Sequence, residues 1–477
     1  MTSPPRPSTP QQRFDRRIID GPLTAAVWHL AWPAMLQNAI GGAQGIVDHA
    51  MVGQVVGFTG NAAIGVSWQI FLIVIVFISS LYTGMGVLVA RHAGAGDAAT
   101  VNRVVYQAFL TSIFLSLGVL APIGYVAAPA LLNFAHAAPE VQAVALPYLR
   151  VMFAGSLGML LFFMLAGALR AAGDARTPLY LGVGLTLTHL AFSSGLVTGW
   201  GPFPRLGVVG AGLGAVISSV GAGVVGLGLL FAKRTPIWFS RQMALAPDWT
   251  IIRSLFRFGL PTGLQGVAMN LGGLLLLRFI GGLEHSAEAQ AAYAVGYNQL
   301  FSLITWTSVG LMGAAATVAG QNLGAGRPER SVEGVWATAR IGLLLAGSVG
   351  LVFLLMPRVL LGVFGMKDGL VVDMGTQLLR VLAVSGLFVT LALVHTGGLQ
   401  GTGDTRSPFF ISLVSQVVVP LGLCLVLQQS GVLAPLGIWA AILLGHLTRA
   451  VLSIVRFRQG KWRTIQVGIA AAGATGA

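Results

Sequence analysis

The chain has 477 residues, of which 55% are hydrophobic and only 9% charged, with a net charge of +14 and a mean hydropathy of +0.82. No surface in contact with water can be built from that composition at this length, which excludes a soluble enzyme or a nucleic-acid-binding module. A single cysteine, Cys424, allows no internal disulfide, and no metal-ligand spacing accompanies it.

Residues 1–23 form a Pro-rich basic arm with Arg13, Arg16 and Arg17 that lacks the order of a signal peptide. Apolar runs follow at 24–50, 62–88, 104–128, 145–169, 179–199 and 207–232, and again at 254–281, 291–318, 335–357, 378–400, 409–429 and 433–457. Each is long enough to cross a hydrocarbon layer of roughly 30 Å as a helix. The runs are continuous rather than alternating, which favours helices over barrel strands. The pattern predicts an all-α integral membrane protein: a six-helix lobe over 24–235, a linker over 236–253, a second lobe over 254–460 and a tail over 461–477. GVVGAGLGAV (207–216) has GxGxxG-like spacing but follows no strand, so it reads as a helix-packing face.

With the N-terminus inside, 22 of the 28 Lys and Arg residues fall on the inner side, which places both termini in the cytoplasm. The same bias accounts for the positive charge through contact with anionic lipid. Thirteen of the fourteen acids fall in the arm or in connections; only Asp48, in IGGAQGIVDHAMVG (40–53), lies within a span. An intramembrane carboxylate is costly unless neutralised, paired or hydrated, so Asp48 is the first functional candidate. Gln37 and Gln44 precede it by eleven and four positions and share its helix face within about 40°, a polar stripe that should face an interior cavity.

The halves repeat at an offset of 230 residues: GALRAAGDARTP (167–178) returns as GGLQGTGDTRSP (397–408), and AGAGD (93–97) as LGAGR (323–327). An even number of helices per half gives the copies one orientation, as in parallel repeats about an axis along the membrane normal. In the two GD turns, Gly suits a left-handed cap, Asp can accept from turn amides, and Pro opens the next helix.

The ordered set Pro33, VDHAMVG (47–53), VARHAGAGD (89–97), LRAAGDARTP (169–178), AYAVGYNQ (292–299), VAGQNLGAGRPERS (318–331) and LQGTGDTRSP (399–408) resembles the multidrug and toxic compound extrusion (MATE) transporters, in their bacterial DinF-like branch. The resemblance implies a V of two lobes and efflux of drugs or other organic compounds, including organic cations, by alternating access driven by cation entry. It assigns cation coupling to Asp48 and bending of the first helix to Pro33. The NorM-like branch carries further acids in its seventh helix, near Met269 and Asn270, and in its tenth; this chain has neither, which favours H⁺ over Na⁺. Where the family often has Asn and Asp in its fifth helix, this chain has His189 and Ser193, and an imidazole there can share a proton with Asp48. Gln69, Gln265, Asn270, Tyr293, Tyr297 and Asn298 are candidates to line a substrate cavity. No cofactor, metal or nucleic acid is expected; the partners are small organic substrates, H⁺ or Na⁺ and membrane lipid, and the protein is expected to be a monomer in the cell inner membrane. A Na⁺-coupled exporter remains open, as does a lipid-linked precursor flippase, which would need a cationic groove; Arg278 is the one intramembrane arginine the sequence suggests for it.

Overall fold

The computed structural model describes residues 14–240, 242–366 and 369–468. Arg6, Arg13, Arg241, Lys367 and Asp368 of the charge count lie outside the described residues, as do most of the arm and the last nine residues of the tail. All twelve predicted runs fold as helix, and no strand occurs among the described residues. In the first half these are α1 (Leu23–Val55), α2 (Phe58–Gly94), α3 (Ala98–Phe134), α4 (Pro139–Ala154 with Ser156–Ala171, bent by 49°), α5 (Arg176–Thr198) and α6 (Val208–Phe231). In the second they are α7 (Trp249–Gly281), α8 (Ser286–Gly324), α9 (Pro328–Leu355), α10 (Gly369–Thr402), α11 (Arg406–Gln429) and α12 (Pro435–Arg458).

Among the described residues ten helices are long and apolar enough to cross a membrane, and the bent α4, taken as one span, makes eleven. The predicted twelfth, α1, is a continuous 33-residue helix, but Gln37, Asn38, Gln44, Asp48 and His49 lower its apolarity. The helices also extend beyond their apolar runs. Glu140, Glu288, Glu329, Glu333 and Asp373, expected in connections, therefore sit in the opening turns of helices. A rod of fixed rise continues into the headgroup layer, where such acids are hydrated.

The internal repeat is structural. Gly173 and Gly403 end their helices at φ 101° and 103°, in the left-handed region that glycine enters without a Cβ clash. After each comes an Asp that organises the turn. Asp174 accepts from the Thr177 amide at 3.0 Å and its hydroxyl at 2.6 Å; Asp404 accepts from the Ser407 amide at 3.2 Å and its hydroxyl at 2.9 Å. Arg176 and Arg406 are exposed beside these turns, as the sequence suggests. Asp174 also accepts from the Arg176 amide at 3.1 Å, whereas Asp404 gains a charged partner, the guanidinium of Arg456 at 2.7 Å.

The halves meet by reciprocal contacts at the end of the bundle that carries both terminal segments. A Cβ on Gly94 would strike the backbone of Gln321, and one on Gly324 would strike the backbone of Arg91. The Arg91 side chain donates to Thr402 O, and that of Gln321 to Ala171 O. Gly94 and Gly324, like Arg91 and Gln321, stand 230 positions apart. A contact of i with j matched by j′ with i′ is the mark of two-fold symmetry. Since the equivalent groups touch at one end of the bundle, the repeats run parallel.

Chain segments outside the spans hold the same face. Ile18 is buried, Asn322 donates to Ile18 O, and Arg327 pairs with Asp20 at 2.9 Å, so residues 14–22 dock on the ends of α8 and α9. Desolvation pushes the Asp20 carboxyl up, but its hydrogen bonds and ion pairs with Arg16 and Arg327 together outweigh this and hold it below the usual range. Trp462 is fully buried, and Arg91 donates to Ile465 O from the other half. The linker packs through Ile237 and Phe239, and Asp248, the N-cap of α7, pairs with Arg103.

The difference between the two GD turns gives a test. Removing a turn-organising acceptor costs about 1 kcal/mol, whereas removing the buried partner of a guanidinium costs about 2–3 kcal/mol once partial hydration of Arg456 is allowed for. Asp404→Ala is therefore expected to lower the thermal midpoint in detergent more than Asp174→Ala. Equal shifts would show that the Arg456 pair contributes nothing.

Candidate functional site

The polar stripe of α1 lines neither of the two cavities between the halves. It is zipped, residue by residue, against α4 and α5. Gln37 Oε1 accepts from Arg170 at 2.5 Å, Gln44 Oε1 accepts from the Thr186 hydroxyl at 3.0 Å, and Asp48 faces His189 Nε2 with its two oxygens at 2.8 and 2.9 Å. The spacing explains the register: positions 37, 44 and 48 share one face of α1, while 186 and 189 share one face of α5. Polar groups inside a hydrocarbon layer must be satisfied by the protein itself, and a seam between helices does this as well as a water-filled cavity.

His189 is 2% exposed, whereas the Asp48 side chain is 20% exposed, so the pair is reached from the carboxylate side. His189 Nδ1 is buried without a partner. The imidazole is thus engaged through one nitrogen only. His49, next in sequence, points elsewhere and meets Asn61 Oδ1 at 3.2 Å. Ser193 lies one turn beyond His189, fully buried with its hydroxyl unpartnered and packed beneath Gly214. Pro33 stands inside α1, which continues through it.

A second group of candidates lies between the halves. Gln69, Asn270, Tyr293, Tyr297 and Asn298 line a cavity of about 480 Å³, with Trp68 on the α2 side. Trp68 also borders a cavity of about 450 Å³ that reaches Asn38, Tyr82 and Arg170. Tyr293 and Tyr297 stack with centroids 4.9 Å apart and planes 8° from parallel, and Tyr293 stacks in turn on Trp439. Tyr297 and Asn298 lie in a π-helical segment of α8, Ala294–Leu300, and Gln416 in another in α11, Val414–Val418. Such segments turn extra side chains toward one face and are frequent at functional sites.

Two candidates fall in neither group. Gln265 is 5% exposed and donates to the Ser412 hydroxyl at 2.7 Å, so it packs α7 against α11 rather than lining the cavity. It is the repeat counterpart of Gln37, and it was drawn into packing because Ser412 offers an acceptor where the first half has Gly182. Arg278 is exposed in the last turn of α7 and lines neither cavity.

Arg449 is the residue that sequence reasoning misplaced. Counted there among the inner surface cations, it is only 3% exposed, and its Nε has no partner. The signal was available, because position 449 is well inside the apolar run 433–457. With Arg449 buried and Arg170 bound to Gln37, Arg278 is not the one intramembrane arginine.

Fold and seam define a multi-pass, all-helical membrane protein whose two six-helix halves enclose cavities between them. A family model described as MatE matches residues 33–194 and 261–426. The probable multidrug resistance protein NorM of Deinococcus radiodurans is 31% identical over 445 residues, spanning 90% of this chain and 94% of that protein. Its counterpart in Thermotoga maritima is 28% identical over 438 residues, spanning 91% and 92%. A solved structure described as the outward-facing conformation of a multidrug resistance MATE family transporter of the MOP superfamily matches with a TM-score of 0.85 at 20% identity, over 96% of this chain and 98% of that one. The chain belongs to the MatE family.

The Asp48–His189 contact can be measured by a double-mutant cycle. Asp48→Asn and His189→Phe are each expected to destabilise by about 1–3 kcal/mol, and the double variant by less than their sum, with a coupling of about 1 kcal/mol or more. Thermal unfolding in one detergent at neutral pH reads it. Strict additivity would mean that the two side chains do not interact.

Proposed function

We propose that this chain is a secondary active exporter of drugs or other small organic compounds, coupled to H⁺ through Asp48. The single observation that carries the reading is the Asp48–His189 pair: one carboxylate on a helix of the membrane-spanning bundle, held against one imidazole nitrogen. Family membership and relatives named as multidrug resistance proteins support the efflux function.

Protonation converts the pair from a charged to a neutral acid, or adds a charge to the imidazole. Either change alters what the seam between α1 and α5 must neutralise. Gln37 and Gln44 lie on the same seam, so a change at Asp48 bears on the whole length over which α1 is held. Pro33 removes one backbone hydrogen bond from α1 and offers a point at which the helix can bend in response. The cavity lined by Gln69, Asn270, Tyr293, Tyr297 and Asn298 receives the substrate, and alternating access opens it to one side and then the other. Reciprocal contacts around Gly94 and Gly324 close the side that carries the termini.

Proton coupling is favoured over sodium by the geometry at Asp48. Both oxygens are directed at a single ring nitrogen, an arrangement suited to sharing a proton. Sodium would want several oxygen ligands converging on one point, as hard cations do. A lipid-linked precursor flippase is disfavoured because neither arginine-bearing element forms a groove of several cations: Arg449 stands apart from Arg170, which is held by Gln37. Localisation to the cell inner membrane with both termini in the cytoplasm follows from the charge bias, and a monomer suffices because one chain supplies both halves.

In proteoliposomes with a pH gradient, substrate efflux is expected to persist in sodium-free buffer and to collapse with a protonophore. Asp48→Asn is expected to reduce gradient-driven transport to background while remaining monodisperse and folded. Transport at the wild-type rate by Asp48→Asn, or a strict sodium requirement at fixed pH gradient, would overturn the assignment.

A further inference from the structure

The two halves differ in the charge they carry inside their apolar runs: a half-buried acid, Asp48, in the first and a buried arginine, Arg449, in the second. In the first, Asp48 is the intramembrane acid, met by an imidazole. In the second, Arg449 is buried on α12 and no carboxylate pairs with it among the described residues. An uncompensated guanidinium in a low-dielectric interior is strongly unfavourable, so it requires a compensating role. Its position suggests one. His446 lies one turn before it on α12, on the same helix face, and the His446 ring stacks on that of Tyr297. Both of those residues line the cavity of about 480 Å³ between the halves. His446 Nδ1 is tied to the Ser385 hydroxyl at 3.0 Å, and its ring lies 10° from parallel to that of Tyr297. Arg449 Nε is buried without a hydrogen-bond partner, as is the Ser453 hydroxyl one turn further along α12.

The lining otherwise combines aliphatic side chains and glycines with aromatic rings and amides, including Trp68, Tyr293, Asn298 and Gln416, and contains no Asp, Glu, Lys or Arg. Flat rings on a stacked aromatic wall suit an aromatic body. Arg449, one turn beyond the lining residue His446, places a buried positive charge behind that wall, which favours a negative group and disfavours a cation. We propose that this cavity selects aromatic molecules carrying an anionic group of the carboxylate class, and that Arg449, acting through Tyr297 and His446, sets this selectivity. As a statement about substrate it rests on the efflux reading; as a statement about binding it stands alone.

The test is calorimetric titration of the full chain in nanodiscs of zwitterionic lipid, with no gradient, using three matched probes: 2-naphthoate, 2-naphthylmethanol and 2-naphthylmethylammonium. Wild type is expected to bind 2-naphthoate at least several-fold more tightly than the ammonium probe. Arg449→Gln is expected to weaken 2-naphthoate about tenfold and to leave 2-naphthylmethanol within about twofold, while Arg449→Lys keeps most of the preference. Equal or tighter binding of the ammonium probe by wild type would overturn the proposal. So would a loss shared equally by all three probes in Arg449→Gln. Should that variant not fold, the wild-type preference and the Arg449→Lys titration decide the question. Tight 2-naphthoate binding without gradient-driven transport would count against the efflux reading alone.

Discussion

A carboxylate carried through hydrocarbon has to be neutralised by something, and the first half of this protein is arranged around that requirement. Asp48 is met by His189 at 2.8 Å, and the two glutamines on its helix face are met by Arg170 and Thr186. These contacts fix the rotation of α1 and its register against α5. They also make the interface responsive: a proton gained or lost at Asp48 changes the electrostatics of a contact that spans much of the helix. A purely apolar interface would have no such handle.

The second constraint is the close approach of the halves. Glycines 94 and 324 let backbones meet where any side chain would collide, and the equivalence of the contacts means that both sides of the two-fold loosen or tighten together. Residues 14–22 and 461–467 are laid across the same face, so the terminal segments add to its closure. The cavities between the halves lie where the glycine contacts do not reach. A site enclosed by two bodies that touch at one end is the geometry that alternating access requires.

Much of this was legible in the sequence. Hydrophobic runs set the helices, because a membrane span is a composition signal over about 20 residues and needs no tertiary information. The GD turns were readable because Gly, Asp and Pro act locally. Asp48 stood out as a charge in an apolar run, and His189 as its partner through the family's fifth-helix pattern. What the sequence could not give was the direction a polar stripe faces. The stripe at 37, 44 and 48 was expected to meet a cavity and instead meets α4 and α5, because Arg170, Thr186 and His189 lie opposite it, a fact of three-dimensional register. Gln265 was misread for the same reason. Arg449 was misread differently: assignment to a surface by counting charges ignores depth along the helix, and its position within the last apolar run pointed inward.

The account as a whole turns on Asp48 changing protonation inside the membrane. Infrared difference spectroscopy of the protein in proteoliposomes, recorded as pH is lowered, reads the C=O stretch of a protonated carboxylic acid directly and needs no substrate. The account predicts a band that grows on acidification in the wild type, is absent from Asp48→Asn, and is shifted in pH by His189→Phe. A band that is unchanged in Asp48→Asn would show that the titrating acid lies elsewhere and would contradict the central claim.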